Sequence, residues 1–208
     1  MQTSTSDQTF KLNLFNRWAN TYDWLLPSVF YQAVHQRLLE FVSLPPAAHV
    51  LDLGCGTGKL LNRLATEYPQ LTGVGFDFAA KMLAQAAQKS ADSTRLSYAQ
   101  GTSSDLPFPD AQFDAVFCTI SFLHYPDPAA VLSEVHRVLK PGGSFYLADY
   151  APSLCSGQET VTVAIAAGSV QFYSKIARDR LGETAGLRID RQVHLLGPIL
   201  LSIFVKPA

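Results

Sequence analysis

Apolar residues recur along this chain in two rhythms, and the exchange between them outlines a fold. Leu14, Trp18, Tyr22, Leu25 and Leu26 fall at helical spacing, and a second helical segment, about Val29 to Val42, carries Val34, Leu38, Leu39 and Val42. Pro45 and Pro46 stop it, because proline supplies no amide donor to continue a helix. His49 to Leu53 is then a short apolar run, followed at once by glycines, as a buried parallel strand would be.

From there strand and helix signals alternate. Leu60, Leu61 and Leu64 predict a helix, Leu71 to Phe76 a strand, Met82, Leu83 and Ala86 a helix, and Leu96 to Ala99 a short strand. Phe113 to Ile120 reads as a strand, and Val131, Val135, Val138 and Leu139 as a helix. Pro141-Gly142-Gly143 reads as a turn and Ser144 to Ala148 as a fifth strand. Such alternation predicts a doubly wound α/β fold, a mostly parallel sheet with helices on both faces. The C-terminal end breaks the rhythm. Val170 to Leu181 reads as a helix, with Phe172, Ile176, Ala177 and Leu181 on one side and Gly182 near its end. Strands at about Leu187 to Leu195 and Ile199 to Val205 follow, separated by Gly197-Pro198. So short a link cannot cross over, so these two strands are expected to close the sheet as an antiparallel hairpin.

Composition narrows the picture. The 208 residues suit one compact domain, read as an N-terminal helical cap over 1–46 and a ligand-binding domain over 47–208. With 16 basic and 17 acidic residues the formal net charge is −1, which offers no footprint for a phosphate backbone, so no nucleic-acid partner is expected. Cys55, Cys118 and Cys155 are scattered, which points to a reducing compartment and away from a zinc or other metal site. The first ten residues show no secretory pattern, and the apolar stretch Val161 to Val170 is too short to span a bilayer. A cytoplasmic protein is expected.

The chemistry concentrates in Val50-Leu51-Asp52-Leu53-Gly54-Cys55-Gly56-Thr57-Gly58, a glycine turn between a strand and a helix. Glycine lets the backbone bend sharply and approach a ligand with no Cβ in the way. Nineteen positions after Gly58 comes Asp77, at the end of the second strand. A carboxylate there can accept hydrogen bonds from both ribose hydroxyls of an adenosine. A dinucleotide site uses similar logic but spaces its glycines as G-x-G-x-x-G, and Lys59 stands where that third glycine falls. About 60 residues after Tyr150 also leave little room for a dehydrogenase's substrate domain. The spacing therefore favours a nucleoside without phosphates.

These residues resemble the class I S-adenosylmethionine-dependent methyltransferases, in the branch of the ubiquinone/menaquinone-biosynthesis C-methyltransferases. Val50 to Gly58 matches that family's first motif, and Gly75-Phe76-Asp77-Phe78-Ala79-Ala80-Lys81-Met82-Leu83 resembles its second. Asp105 to Asp110, Phe113 to Val116 and Arg137 to Gly143 resemble the stretches that follow, and Phe15 to Asp23 looks like the entry helix. The resemblance covers about Phe15 to Tyr150. It implies a Rossmann-like fold, S-adenosyl-L-methionine as cofactor, and methyl transfer to a small molecule. It places Gly54, Gly56, Thr57 and Gly58 at the methionine end, with Asp52 and Cys55 in the same motif, and Asp77 at the ribose. Phe78 and Met82 would line the adenine, Thr102 and Ser103 would sit at its edge, Thr119 would face the cofactor, and Tyr22 would close over the methionine portion. Thr102 departs from the family's usual Asp and Ala79 from its serine. Met82 reads equally as helix core, and Cys55 as a small residue tolerated in the turn.

Methyl transfer from a sulfonium is an in-line displacement that needs alignment and exclusion of water, and a base only when the acceptor must lose a proton. His124, beyond the fourth strand, is the candidate base, with Tyr125 beside it. An imidazole with an ordinary pKa of about 6.5 suits that task. His35, His136 and His194 read as structural, and His49 opens a strand. Trp18, Tyr22, Trp24, Phe30, Tyr31, Phe172, Tyr173 and the run Val161 to Ala167 suggest a lid for an apolar or aromatic acceptor. Three alternatives stay open: methylation of a macromolecule, binding of the cofactor without catalysis, and a nicotinamide-dependent oxidoreductase.

Overall fold

The structure, a computed structural model, describes residues 26–90, 92–151, 157–165 and 168–208. Its elements run α1 (Leu26–Leu39), β1 (His49–Leu53), α2 (Lys59–Glu67), β2 (Thr72–Asp77), α3 (Ala80–Gln88), β3 (Leu96–Gln100) and β4 (Phe113–Thr119). A 3₁₀ turn (Phe122–His124), α4 (Pro128–Val138) and β5 (Leu139–Tyr150) follow, then β6 (Thr160–Ile165), β7 (Gly168–Tyr173), α5 (Lys175–Thr184), β8 (Arg188–Leu196) and β9 (Ile199–Val205).

Seven strands form one sheet in the order β3-β2-β1-β4-β5-β9-β8. The first five are mutually parallel, while β9 lies antiparallel between β5 and β8. The expected closing hairpin is therefore present, with its second strand inserted next to β5. Strand residues alternate between faces, so a run apolar at every position feeds two cores. Leu51, Val116, Cys118, Phe145 and Leu147 pack on one face with Val131 and Val135 of α4. Val50, Ala115, Phe117, Tyr146 and Ala148 pack on the other with Val34 and Leu38 of α1 and Leu60, Leu61 and Leu64 of α2. Helix α1 thus shares a core with the sheet. Among the described residues no helix is long and apolar enough to cross a membrane.

Two expectations change. The helix read from Val170 to Leu181 is a strand up to Tyr173, and the helix starts at Lys175. Ser174 divides them, its hydroxyl accepting from the Ala177 amide as an N-cap. The strand half pairs with β6, Val161 opposite Phe172 and Val163 opposite Val170, in a two-stranded sheet apart from the main one. Phe172 and Ile176 happen to stand four apart, which imitates a helix face, yet the β-favouring Val, Phe and Tyr found a partner strand. Pro141-Gly142-Gly143 also lies inside β5, at an irregularity where pairing with β4 jumps from Phe113–Leu139 to Ala115–Ser144.

Candidate functional site

Strand order reverses between β1 and β4, and an open parallel sheet leaves a crevice there at its carboxyl edge. A cavity of about 670 Å³ occupies that place. Its floor is the glycine turn. Gly54, Gly56 and Gly58 all have positive φ (74°, 53° and 75°), which side-chain-bearing residues rarely adopt. Each meets different surroundings. A Cβ on Gly54 would fall 2.6 Å from Ser121 Oγ, and one on Gly58 would fall 2.8 Å from Tyr98 Oη, whereas one on Gly56 would meet nothing within 4 Å. Two of the glycines serve close packing, and the third opens onto the cavity.

Asp77 ends β2, and its carboxylate holds this floor in place. Its Oδ2 accepts from the Gly56 amide and its Oδ1 from the Ala79 amide, both at 2.9 Å. The group is 8% exposed, and burial pushes its pKa up against the pull of those amides. Each carboxylate oxygen has a second lone pair, so two acceptor positions remain for a ligand's hydroxyls. Asp52 lies below the turn, 1% exposed, and neither of its oxygens has a hydrogen-bond partner. Burial, then the neighbouring Asp77 charge, raises its pKa to about 7.

The cavity gathers most of the residues expected from sequence. Gly54, Cys55, Gly56, Thr57, Asp77, Phe78, Met82, Thr102, Ser103 and Thr119 line it, as do His124 and Tyr125. Gly58 instead caps α2, and Asp52 stays beneath the turn; neither lines the cavity. Tyr22, Trp18, Trp24 and Cys155 lie outside the described residues. The two candidate bases differ sharply. Tyr125 is only partly exposed, its hydroxyl 3.2 Å from Ser121 Oγ under the glycine turn, and burial raises its pKa well above the usual value. A phenol so placed is a poor proton acceptor. His124 ends the 3₁₀ turn, whose geometry is fixed by the buried Asp149: the carboxylate accepts from the Leu123 amide at 2.9 Å.

That turn is braced from far along the chain. Arg178 of α5 is 1% exposed, and its guanidinium donates to the carbonyls of Asp149, Tyr150, Tyr173 and Leu200. It thereby ties together β5, β7 and β9. Ring contacts link the same elements: Phe122 of the turn meets Tyr173, and Tyr150 meets both Phe30 and Phe172.

Sequence reasoning read His35 as structural, placed Tyr31 in a lid for the acceptor and passed over Ile120, and all three line the cavity. Ile120 has φ of +50°, a strained value for a β-branched residue, and its amide donates to the Ala148 carbonyl. The strain turns the chain sharply after Thr119. No local signal in the sequence announces it.

Two kinds of comparison bear on this geometry. A family profile described as a methyltransferase domain matches residues 50–143. An uncharacterized methyltransferase of Synechocystis sp. is 37% identical over 148 residues, covering 65% of this chain and 67% of the relative. A demethylmenaquinone methyltransferase of Deinococcus radiodurans is 40% identical over 104 residues, covering 50% of this chain and 43% of the relative. This chain thus spans between less than half and about two thirds of those relatives' length. Among solved structures, a chain of the complex between a Haloferax volcanii methyltransferase activator and the putative methyltransferase superposes with a TM-score of 0.79. Its identity is 23%, with 93% of this chain and 98% of that chain covered. At that identity the likeness speaks for the fold.

Proposed function

Because this chain belongs to the class I S-adenosylmethionine-dependent methyltransferases, we propose that its cavity seats that cofactor and transfers the methyl group to a small, apolar or aromatic molecule. The observation that carries the reading is the buried Asp77 carboxylate bound to the Gly56 amide, beside a glycine whose missing side chain leaves open space. S-adenosylmethionine, when bound, supplies a methyl group on a cationic sulfur that is already a good leaving group.

The chain's own residues then have few tasks. Asp77 accepts from the ribose hydroxyls, and the turn Gly54 to Thr57 lets backbone approach the methionine portion. Phe78 and Met82 pack against the adenine. Thr102 and Ser103 offer hydroxyls at its edge, without the charge assistance of the carboxylate that the family usually carries at the first position. His124 takes a proton when the acceptor must lose one. Tyr31 gives the far end an aromatic face, and ring contacts run from it through Phe30 and Tyr150 to Phe172. The relative named as a demethylmenaquinone methyltransferase is consistent with a ring-shaped acceptor.

Calorimetric titration with S-adenosylmethionine, S-adenosylhomocysteine and NADH tests the reading. Binding of the first two without the third is expected. Binding of NADH alone would overturn it.

A further inference from the structure

His35 is out of place for a core residue. It sits on α1 between Val34 and Leu38, both fully buried, and is itself 8% exposed. Its Nε2 lies 3.3 Å from Thr119 Oγ1, while its Nδ1 is buried with no hydrogen-bond partner. A buried polar atom left without a partner costs about 1–3 kcal/mol, so an apolar residue of similar size would serve the packing better. Both His35 and Thr119 line the cavity, at the end away from Asp77 and next to Tyr31, one helical turn earlier on α1. Burial, then the positive charges of Arg63 and Lys59, lowers the imidazole pKa to about 3. The ring therefore stays neutral at any working pH, too weak a base to remove a proton but able to donate or accept a hydrogen bond.

We propose that the His35–Thr119 pair selects the methyl acceptor, by reading a hydroxyl on an otherwise apolar ring held against Tyr31, which ring contacts join to Phe30 and Tyr150. The inference rests on the methyltransferase reading and adds the feature by which the acceptor is chosen. A neutral imidazole and a threonine hydroxyl can exchange donor and acceptor roles, so the pair meets an O–H in either sense. His35 Nε2 already occupies one hydrogen-bonding position of the Thr119 hydroxyl and so orients it, and a ring without a hydroxyl leaves the remaining position of that cavity-lining oxygen unfilled, which is how a site discriminates against a missing polar group. A cationic acceptor is disfavoured by Lys59 and Arg63, which bear on this wall.

The test compares 2-naphthol with 2-methylnaphthalene as probes, titrated into protein saturated with S-adenosylhomocysteine. Wild type is expected to prefer 2-naphthol by about tenfold. In His35→Phe that preference falls to about one, and in His35→Gln, which keeps a polar group, part of it returns. A merely structural histidine would weaken both probes equally and leave the ratio alone. An unchanged preference in His35→Phe overturns the proposal, as does equal binding of both probes to wild type that still holds S-adenosylhomocysteine. If wild type fails to hold S-adenosylhomocysteine, the methyltransferase reading fails and takes this inference with it.

Discussion

The two ends of the cavity are built in opposite ways. The end around Asp77 comes from one continuous stretch, β1 through the loop after β3, whose key contact joins residues 21 apart. The far end is assembled from α1, the end of β4 and the turn after it, and Thr119 meets His35 across 84 positions. Local assembly lets glycine spacing and one carboxylate define a site. Distant assembly makes the site depend on whatever clamps the elements together, and Arg178 is such a clamp.

If that contrast is right, Arg178→Leu has the largest effect. It leaves four carbonyls without their donor, and a loss of about 3 kcal/mol or more in unfolding free energy is expected from urea titration. A loss below about 0.5 kcal/mol would mean the far end is held by something else. Next, His124→Ala should lower turnover by about a hundredfold for an acceptor that loses a proton, with S-adenosylhomocysteine affinity unchanged by calorimetry. Wild-type turnover in this variant would remove His124 from the chemistry.

At the other end, Asp77→Ala should weaken S-adenosylmethionine binding at least about tenfold, roughly 1.4 kcal/mol, while circular dichroism shows the fold intact. An unchanged dissociation constant would break the assignment of that end. The smallest effect is on stability against pH. Asp52 titrates near pH 7 when folded and near 3.8 when unfolded, so the folded state holds the extra proton between those values. Stability from this group is lost as pH rises through that window. Asp52→Asn should therefore raise stability by about 1 kcal/mol at pH 8 and leave it unchanged near pH 3, read from urea midpoints. Equal midpoints for both proteins at pH 8 would show that the buried carboxyl is compensated.

How much was legible follows from the same contrast. The alternation from β1 to β5 and the closing hairpin could be read directly, because each element buries a face with its own period. Gly54 to Gly58 and Asp77 could be read because the chain delivers them to one place within a single strand-helix-strand unit. His35 could not. Beside Val34 and Leu38 it looks like helix interior, and only the packing of α1 over the end of β4 turns it onto the cavity. Tyr125 misled in the other direction, since being next to His124 in sequence says nothing about which way its hydroxyl points.

The sequence by itself determined the strand-helix rhythm, the bend at Gly54 to Gly58 and the acid that follows it, because each depends on residues within one local unit. The tertiary structure alone decided that Val170 to Tyr173 is a strand, that the Tyr125 hydroxyl points beneath the glycine turn, and that His35 reaches the cavity. The last two are set by partners dozens of residues away and the first by a neighbouring strand that pairs only once the hairpin forms, and spacing along a chain carries no record of what a side chain meets after the loops close.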